Sequence, residues 1–192
     1  MSEFMSFVRS ARAFFGSLPK NLSKKVLKPD MRVNSVADID VKYLKRKGMT
    51  HIFFDMDNTI TSFHGAKVPQ SISKRLKELC RMFKVYIMSN SDSEHVKAFI
   101  KRNPAYLLNY MEMGGRKKPA VSTFEYVLKK SGALAKNCVM VGDRYFTDIA
   151  GAKKSGFGLV IKTMPLLQET EPLILKAVRG LERGYVRLRR IR

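Results

Sequence analysis

Between residues 51 and 161 the apolar positions switch back and forth between two rhythms. Short apolar runs mark strands at about residues 51–56, 84–89, 138–141 and 158–161, with a weaker one at 106–110. Runs this short suit strands buried on both faces. Between them the spacing lengthens to three and four. Ile72, Leu76, Leu79, Cys80 and Phe83 share one helical face, with Ser71 or Ser73 to cap it. Val96, Phe99 and Ile100 share a second, behind a Ser91/Glu94 capping box. Val121, Phe124, Val127 and Leu128 form a third, opened by Pro119, and residues 147–155 a fourth, closed by Gly156. Strands alternating with helices imply right-handed crossovers, a parallel sheet and helices on both faces. The prediction is an α/β fold, a three-layer Rossmann-like sandwich.

The flanks follow other patterns. Phe4, Phe7, Val8, Ala11, Phe14, Phe15 and Leu18 fall on one helical face, flanked or opposed by Arg9, Arg12, Lys20, Lys24, Lys25 and Lys28. A basic amphipathic helix of this kind suits a membrane surface, a helix docked on its own domain, or an organelle transit signal. Residues 29–35 read as extended, and residues 36–47 as a short helix that Gly48 closes. Toward the end, Leu173, Ile174, Ala177, Val178 and Leu181 recur at helical spacing, ahead of Arg187, Arg189, Arg190 and Arg192. That basic end is either solvated or holds an anionic surface. The chain thus divides into a basic amphipathic segment at residues 1–30, an α/β domain at 31–164, and a basic helix and tail at 165–192.

Composition changes this picture in one respect. Of 192 residues, 45% are hydrophobic, enough for one domain with a full core. The net charge of +21 is unusual and points to an anionic partner: nucleic acid, an anionic membrane or a charged substrate. Cys80 and Cys138 stand in apolar contexts without metal-ligand spacing and read as reduced. No apolar run approaches the roughly 20 residues of a membrane-spanning helix, and the start lacks a secretory pattern.

The chemistry concentrates where strands end. The stretch from His51 to Thr61 runs from a strand into Asp55 and Asp57, one residue apart, then Asn58 and Thr59. Ligands of open parallel sheets bind outside the carboxyl ends of the strands. Carboxylates this close repel, and a divalent cation is the simplest compensation; an N-cap acid beside a turn acid is the plainer reading. The second strand ends in Ser89-Asn90-Ser91, and the fourth runs into Gly142-Asp143-Arg144 with Asp148 beyond. Polar, potentially catalytic groups at the same end of three strands favour a site. His64 and His95 show no partner in sequence and read as surface residues.

These motifs resemble the haloacid dehalogenase-like (HAD) phosphatase superfamily over about residues 48–163. The residues that carry the likeness are Asp55-Met56-Asp57-Asn58-Thr59, Ser89 at a strand end, a lysine before Pro119, and Gly142-Asp143 with Asp148, in that order. The resemblance implies Asp55 as nucleophile of an aspartyl-phosphate pathway and Asp57 as general acid–base. It implies Mg2+ held by Asp55, the Asp57 carbonyl and Asp143, with Asp148 in or just behind that shell. Ser89 would donate to a phosphoryl oxygen, with Asn90, Asn58 and Thr59 around the substrate. Lys118 would neutralise the phosphate, although Lys117 and Arg116 adjoin it and Lys117 competes for the role.

Only 30 residues separate Thr59 from Ser89 and 29 separate Ser89 from Lys118, too few for a cap domain. An open site suits large substrates. The segments around Lys28-Pro29-Asp30, Asp38-Ile39-Asp40, Lys118-Pro119 and Thr147-Asp148 resemble the YqeG-type group, which includes phosphatidylglycerophosphate phosphatases. That likeness implies a peripheral enzyme acting on an anionic phospholipid, its basic termini on the membrane, at the cytoplasmic face, or at the mitochondrial matrix face if the amino terminus is a transit signal. A polynucleotide or nucleotide phosphatase fits the charge, but no nucleic-acid module is visible and no nucleic acid is expected. A non-catalytic scaffold has no need to maintain repelling carboxylates.

Overall fold

Strand β2, His51–Phe54, is buried at all four residues. It is flanked by β3, Lys84–Ile87, and β5, Cys138–Gly142. The computed structural model describes residues 23–166 and 171–191. The described residues form six parallel strands, completed by β1 (Met31–Val33), β4 (Asn109–Tyr110) and β6 (Leu159–Thr163), in the order β1-β6-β5-β2-β3-β4. Phe54 is level with both Ile87 and Val141, and Gly142 with Lys162. Strand ends therefore fall in line, and the residues just beyond them share one edge.

Period-two alternation within the strands divides the core into two layers. On one face Ile52, Phe54, Val85 and Val141 pack against α3 (Gln70–Met82) and α4 (Ser93–Arg102). On the other, Phe53, Met140 and Val160 meet α5 (Val121–Ser131), α6 (Ala150–Lys154) and Leu27 of α1 (Lys24–Leu27). This is the expected three-layer α/β fold. After β2, residues 55–69 hold turns and one Asp57–Thr61 bridge, and among the described residues no cap domain covers the strand ends. Cys80 and Cys138 are free thiols pushed up to about 12 by burial.

Several local expectations are corrected. Residues 36–47 form not one helix but a 3-10 turn, Val36–Asp38, and α2, Val41–Arg46. Two successive caps impose the break: Ser35 boxes with Asp38, and Asp40 accepts from the Tyr43 N–H. Helix α3 starts at Gln70 behind Pro69, leaving Ser71 and Ser73 inside it. Helix α4 is capped by Asp92, which accepts from the N–H groups of Glu94 and His95, not by Ser91. Helix α5 begins at Val121, after a turn closed by Ala120 N–H to the Lys117 carbonyl (3.1 Å), so Pro119 is not its first residue. A wide π-type turn, Tyr145–Ile149, precedes α6, because Asp148 folds back onto the Arg144 N–H.

The last helix, α7 (Leu173–Leu188), differs most. The apolar positions at helical spacing are only partly inward: Val178 is buried, but Leu173 and Leu181 are 82% and 54% exposed, while Arg179 and Glu182 are buried. Opposite charges at the sheet edge, described below, draw the polar side inward. The amphipathic reading of the amino-terminal segment falls mostly outside the described residues. Among those, no helix is long and apolar enough to cross a membrane.

Candidate active site

The ends of β2 and β5 set the site. The Asp55 N–H extends the ladder to the Val141 carbonyl (2.9 Å), which holds the following carboxylate at the edge. Asp143 follows Gly142 directly, and Asp148 returns from the π-type turn, its Oδ2 accepting from the Arg144 N–H at 3.0 Å. Gly142 is dictated by this return, since a Cβ there would collide with the Asp148 carboxylate. Asp55, Asp143 and Asp148 each offer a carboxylate oxygen, all within 4.8 Å of one another.

Lys118 Nζ donates to Asp55 Oδ1 and to Asp148 Oδ1, both at 2.7 Å, from a side chain 2% exposed. Lys117 and Arg116 are exposed, so of the three neighbouring cations Lys118 is the one buried in the acidic cluster. Its backbone is clamped by Asn90, whose Oδ1 accepts from the Lys118 N–H (2.8 Å) while Nδ2 donates to the Lys118 carbonyl (3.0 Å). Ser89 is buried, and its Oγ accepts from the Ser91 N–H at 3.1 Å. Thr59 is buried with its hydroxyl unpartnered. Asn58, at φ 61°, turns its amide away to Glu171 Oε1 (3.0 Å).

Asp57 points out of the three-carboxylate cluster. Its Oδ1 accepts from the His64 N–H at 2.8 Å, its Oδ2 bonds the Ser91 hydroxyl, and His95 Nε2 stands 3.9 Å away. The His64 and His95 rings lie 4.6 Å apart. Both histidines adjoin Asp57: His64 is exposed, as its reading as a surface residue expected, whereas His95 is half-buried. Ser91 reaches Asp57 because Asp92 took over the helix cap.

Sequence reasoning also missed the wall contributed by α7. Arg179 Nη1 pairs with Asp143 Oδ2, and its Nη2 donates to Glu171 Oε1 at 2.7 Å. Glu182 accepts from Arg144 Nε (3.0 Å) and from the Phe146 N–H (2.9 Å). The polar chain Asn58–Glu171–Arg179–Asp143 thus ties the last helix to the strand ends. An arginine and a glutamate three apart inside an otherwise apolar helical period were the only signal for it.

The electrostatics follow from this geometry. Burial pushes Asp55 up to about 8; Lys118 opposes that shift, and Asp148 and Asp143 reinforce it. Asp143 is also raised by burial, against Arg179. Burial alone would lower Lys118, but Asp148 and Asp55 outweigh it and hold the ammonium charged. Three carboxylates face two cations, one of them shared with Glu171. An all-oxygen, net-negative cluster of this kind fits a hard divalent cation.

A parallel α/β sheet presenting buried carboxylates from two strand ends beside a buried lysine defines the HAD-like class. Within that class the chain belongs to the mitochondrial PGP phosphatase family, whose model matches residues 17–166. A phosphatidylglycerophosphate phosphatase 1 of Arabidopsis thaliana, chloroplastic/mitochondrial, is 33% identical over 160 residues, covering 80% of this chain and 45% of that protein. The probable phosphatase YqeG of Bacillus subtilis is 24% identical, covering 72% and 78% respectively. The chain thus spans less than half the length of its Arabidopsis relative. An uncharacterized protein from Listeria monocytogenes shares the fold, with a TM-score of 0.50 at 20% identity over 65% of this chain and 85% of that one.

Proposed function

We propose that the chain is a Mg2+-dependent phosphomonoesterase that converts phosphatidylglycerophosphate to phosphatidylglycerol at a membrane surface. The observation that carries this reading is the buried Asp55 carboxylate, held 2.7 Å from Lys118 at the lip of a three-acid cluster. In the free site Lys118 holds an oxygen of Asp55 and so orients the other toward incoming phosphorus. Attack by Asp55 forms an aspartyl phosphate as the lipid alkoxide leaves. Asp57, fixed by the His64 N–H and the Ser91 hydroxyl, gives the alkoxide its proton. It then takes a proton from the water that hydrolyses the intermediate. Ser89 and the unpartnered Thr59 hydroxyl are the donors available to phosphoryl oxygens. Asn90 acts through Lys118, whose backbone it fixes. Asp55, Asp143, Asp148 and the Asp57 carbonyl would hold the magnesium. When bound, it supplies positive charge against the dianionic phosphate.

The family's description and the Arabidopsis relative's name support the lipid substrate, and they favour a mitochondrial membrane face over a cytoplasmic one. The open edge, with no cap among the described residues, suits a headgroup presented by a bilayer. Phosphate release is the test. Short-chain phosphatidylglycerophosphate, nucleotides and DNA 3′-phosphate ends are compared with Mg2+ and with chelator. The reading expects Mg2+-dependent release from the lipid above the others. Release only from nucleotides or DNA would contradict it.

A further inference from the structure

Between α7 and the outer edge of the sheet, where β1 pairs with β6, lies a cavity of about 500 Å³, a volume typical of small-ligand sites. Among the described residues its charged lining is all of one sign: Arg32 of β1, Lys162 of β6, and Arg183, Arg187 and Arg190 from α7 and its end, with no acid. Arg183, Arg187 and Arg190 form no ion pair among the described residues. The two cations from the sheet are fixed by neutral groups. Arg32 donates to the Tyr145 hydroxyl and to the Ile191 carbonyl (3.2 Å). Lys162 donates to the Thr163 carbonyl (2.7 Å) and lies 5.0 Å above the Tyr145 ring. Burial lowers Lys162 to about 8 despite the pull of Asp143 and Glu182, so a matching anion would stabilise its charged form.

The rest of the lining is apolar: Met164, Pro165, Val186 and Ile191 stand between the cations. An inorganic ion makes no use of such walls, whereas an amphiphile does. Met164, at the rim of the lining, is 56% exposed. Cations beside an exposed apolar side chain are the pattern of a surface that lies on anionic lipid.

We infer that this cavity is a headgroup site that takes the phosphodiester of an anionic glycerophospholipid from a bilayer, with the exposed Met164 at its rim facing the acyl boundary. Its arginines supply paired donors for phosphate oxygens. The cavity adjoins the carboxylate cluster through Tyr145, two residues beyond Asp143, and through Lys162, level with Gly142. A lipid held there leaves the strand ends facing the membrane. The inference deepens the surface-acting reading above and rests on it for the choice of a bilayer as the source.

The test uses the full chain and the double variant Arg187→Glu/Arg190→Glu, both positions being exposed. Calorimetric titrations compare short-chain phosphatidylglycerol, short-chain phosphatidylcholine and inorganic phosphate, and flotation compares phosphatidylglycerol-containing vesicles with pure phosphatidylcholine. Hydrolysis of p-nitrophenyl phosphate reads the catalytic centre independently. The expected result is preference for phosphatidylglycerol over both other probes, weakened about tenfold or more in the double variant, with p-nitrophenyl phosphate hydrolysis unchanged. Arg187→Gln alone, the milder change, should show a smaller loss. Equal lipid binding by wild type and double variant overturns the inference. Inorganic phosphate binding as tightly as the lipid also overturns it and assigns the cavity to a free anion. Arginine-dependent lipid binding by a chain that hydrolyses no phosphomonoester supports the cavity and overturns the phosphatase reading instead.

Discussion

Replacing Lys118 by Met removes the one cation that touches both Asp55 and Asp148. In the wild-type chain each of these carboxylates accepts from Nζ at 2.7 Å, and Asp148 is fully buried. Breaking a buried pair by removing one partner costs about 3–5 kcal/mol, because the remaining charge is left uncompensated. That is a large share of a domain's typical stability of about 5–15 kcal/mol. The loss should depend on pH. Asp55 already sits at about 8, above its ordinary value of 3.8. A carboxyl whose folded pKa is raised stabilises fully below its unfolded pKa, and that contribution fades as pH rises toward the folded one. Its slope is at most about 1.4 kcal/mol per pH unit. Without Lys118 the Asp55 pKa climbs further. Between pH 5 and about 8 both folded chains keep that proton and lose stability with the same slope, so the lost Lys118–Asp148 pair should set a gap already present at pH 6. The gap should widen above pH 8, where only the wild-type Asp55 ionises beside Lys118. Lys118 itself, raised above 10.5, stays charged across this window and does not reverse the sign. Urea titrations in chelator at pH 6 and pH 9 measure the effect. A variant as stable as wild type at pH 6, or a gap that narrows from pH 6 to pH 9, would refute the electrostatic account.

Three other outcomes follow from the same geometry. Ser91→Ala removes a charge-assisted bond to Asp57, worth about 1.5–3 kcal/mol of stability; thermal melts should fall by several degrees, and steady-state kinetics should show kcat lowered roughly tenfold or more. Arg179→Ala leaves Asp143 and Glu171 without their shared cation, so thermal melts should show a weaker metal-free chain and a larger stabilisation by Mg2+ than in wild type. Because Asp55 must lose its proton to ligate a cation, Mg2+ affinity should rise with pH up to about 8. Calorimetry in buffers of differing ionisation heat should detect the released protons at neutral pH.

The sheet was legible because its central strands are apolar throughout: a strand covered on both faces leaves no polar position to obscure its length. The acids were legible because Asp55, Asp57, Asp143 and Asp148 lie within a few residues of those strand ends. What escaped reading were the long-range contacts outside that acidic constellation. Ser91 and Asp92 both suit a helix cap, and only the position of Asp57 across the edge frees Ser91 for another bond. Arg179 looked like one more member of a basic tail, because helical periodicity ranks faces by hydrophobicity and does not register a buried acid 36 residues away. Nor does periodicity tell which way Leu181 faces: it shares a helical period with the buried Val178 yet is exposed. Among three adjacent cations, the place before Pro119 favours Lys118 but leaves Lys117 as a rival; the contacts to Asp55 and the reciprocal clamp from Asn90 are visible only in space.

The central claim is that Asp55 carries the phosphoryl group between lipid and water. Asp57→Asn should slow hydrolysis of the intermediate more than the fold is perturbed, so acid-quenched protein incubated with Mg2+ and short-chain phosphatidylglycerophosphate can be digested and its peptides weighed. The account predicts one phosphoryl group on Asp55 in that variant, and no turnover by Asp55→Asn. An unmodified Asp55 peptide together with undiminished phosphate release by Asp55→Asn would contradict it.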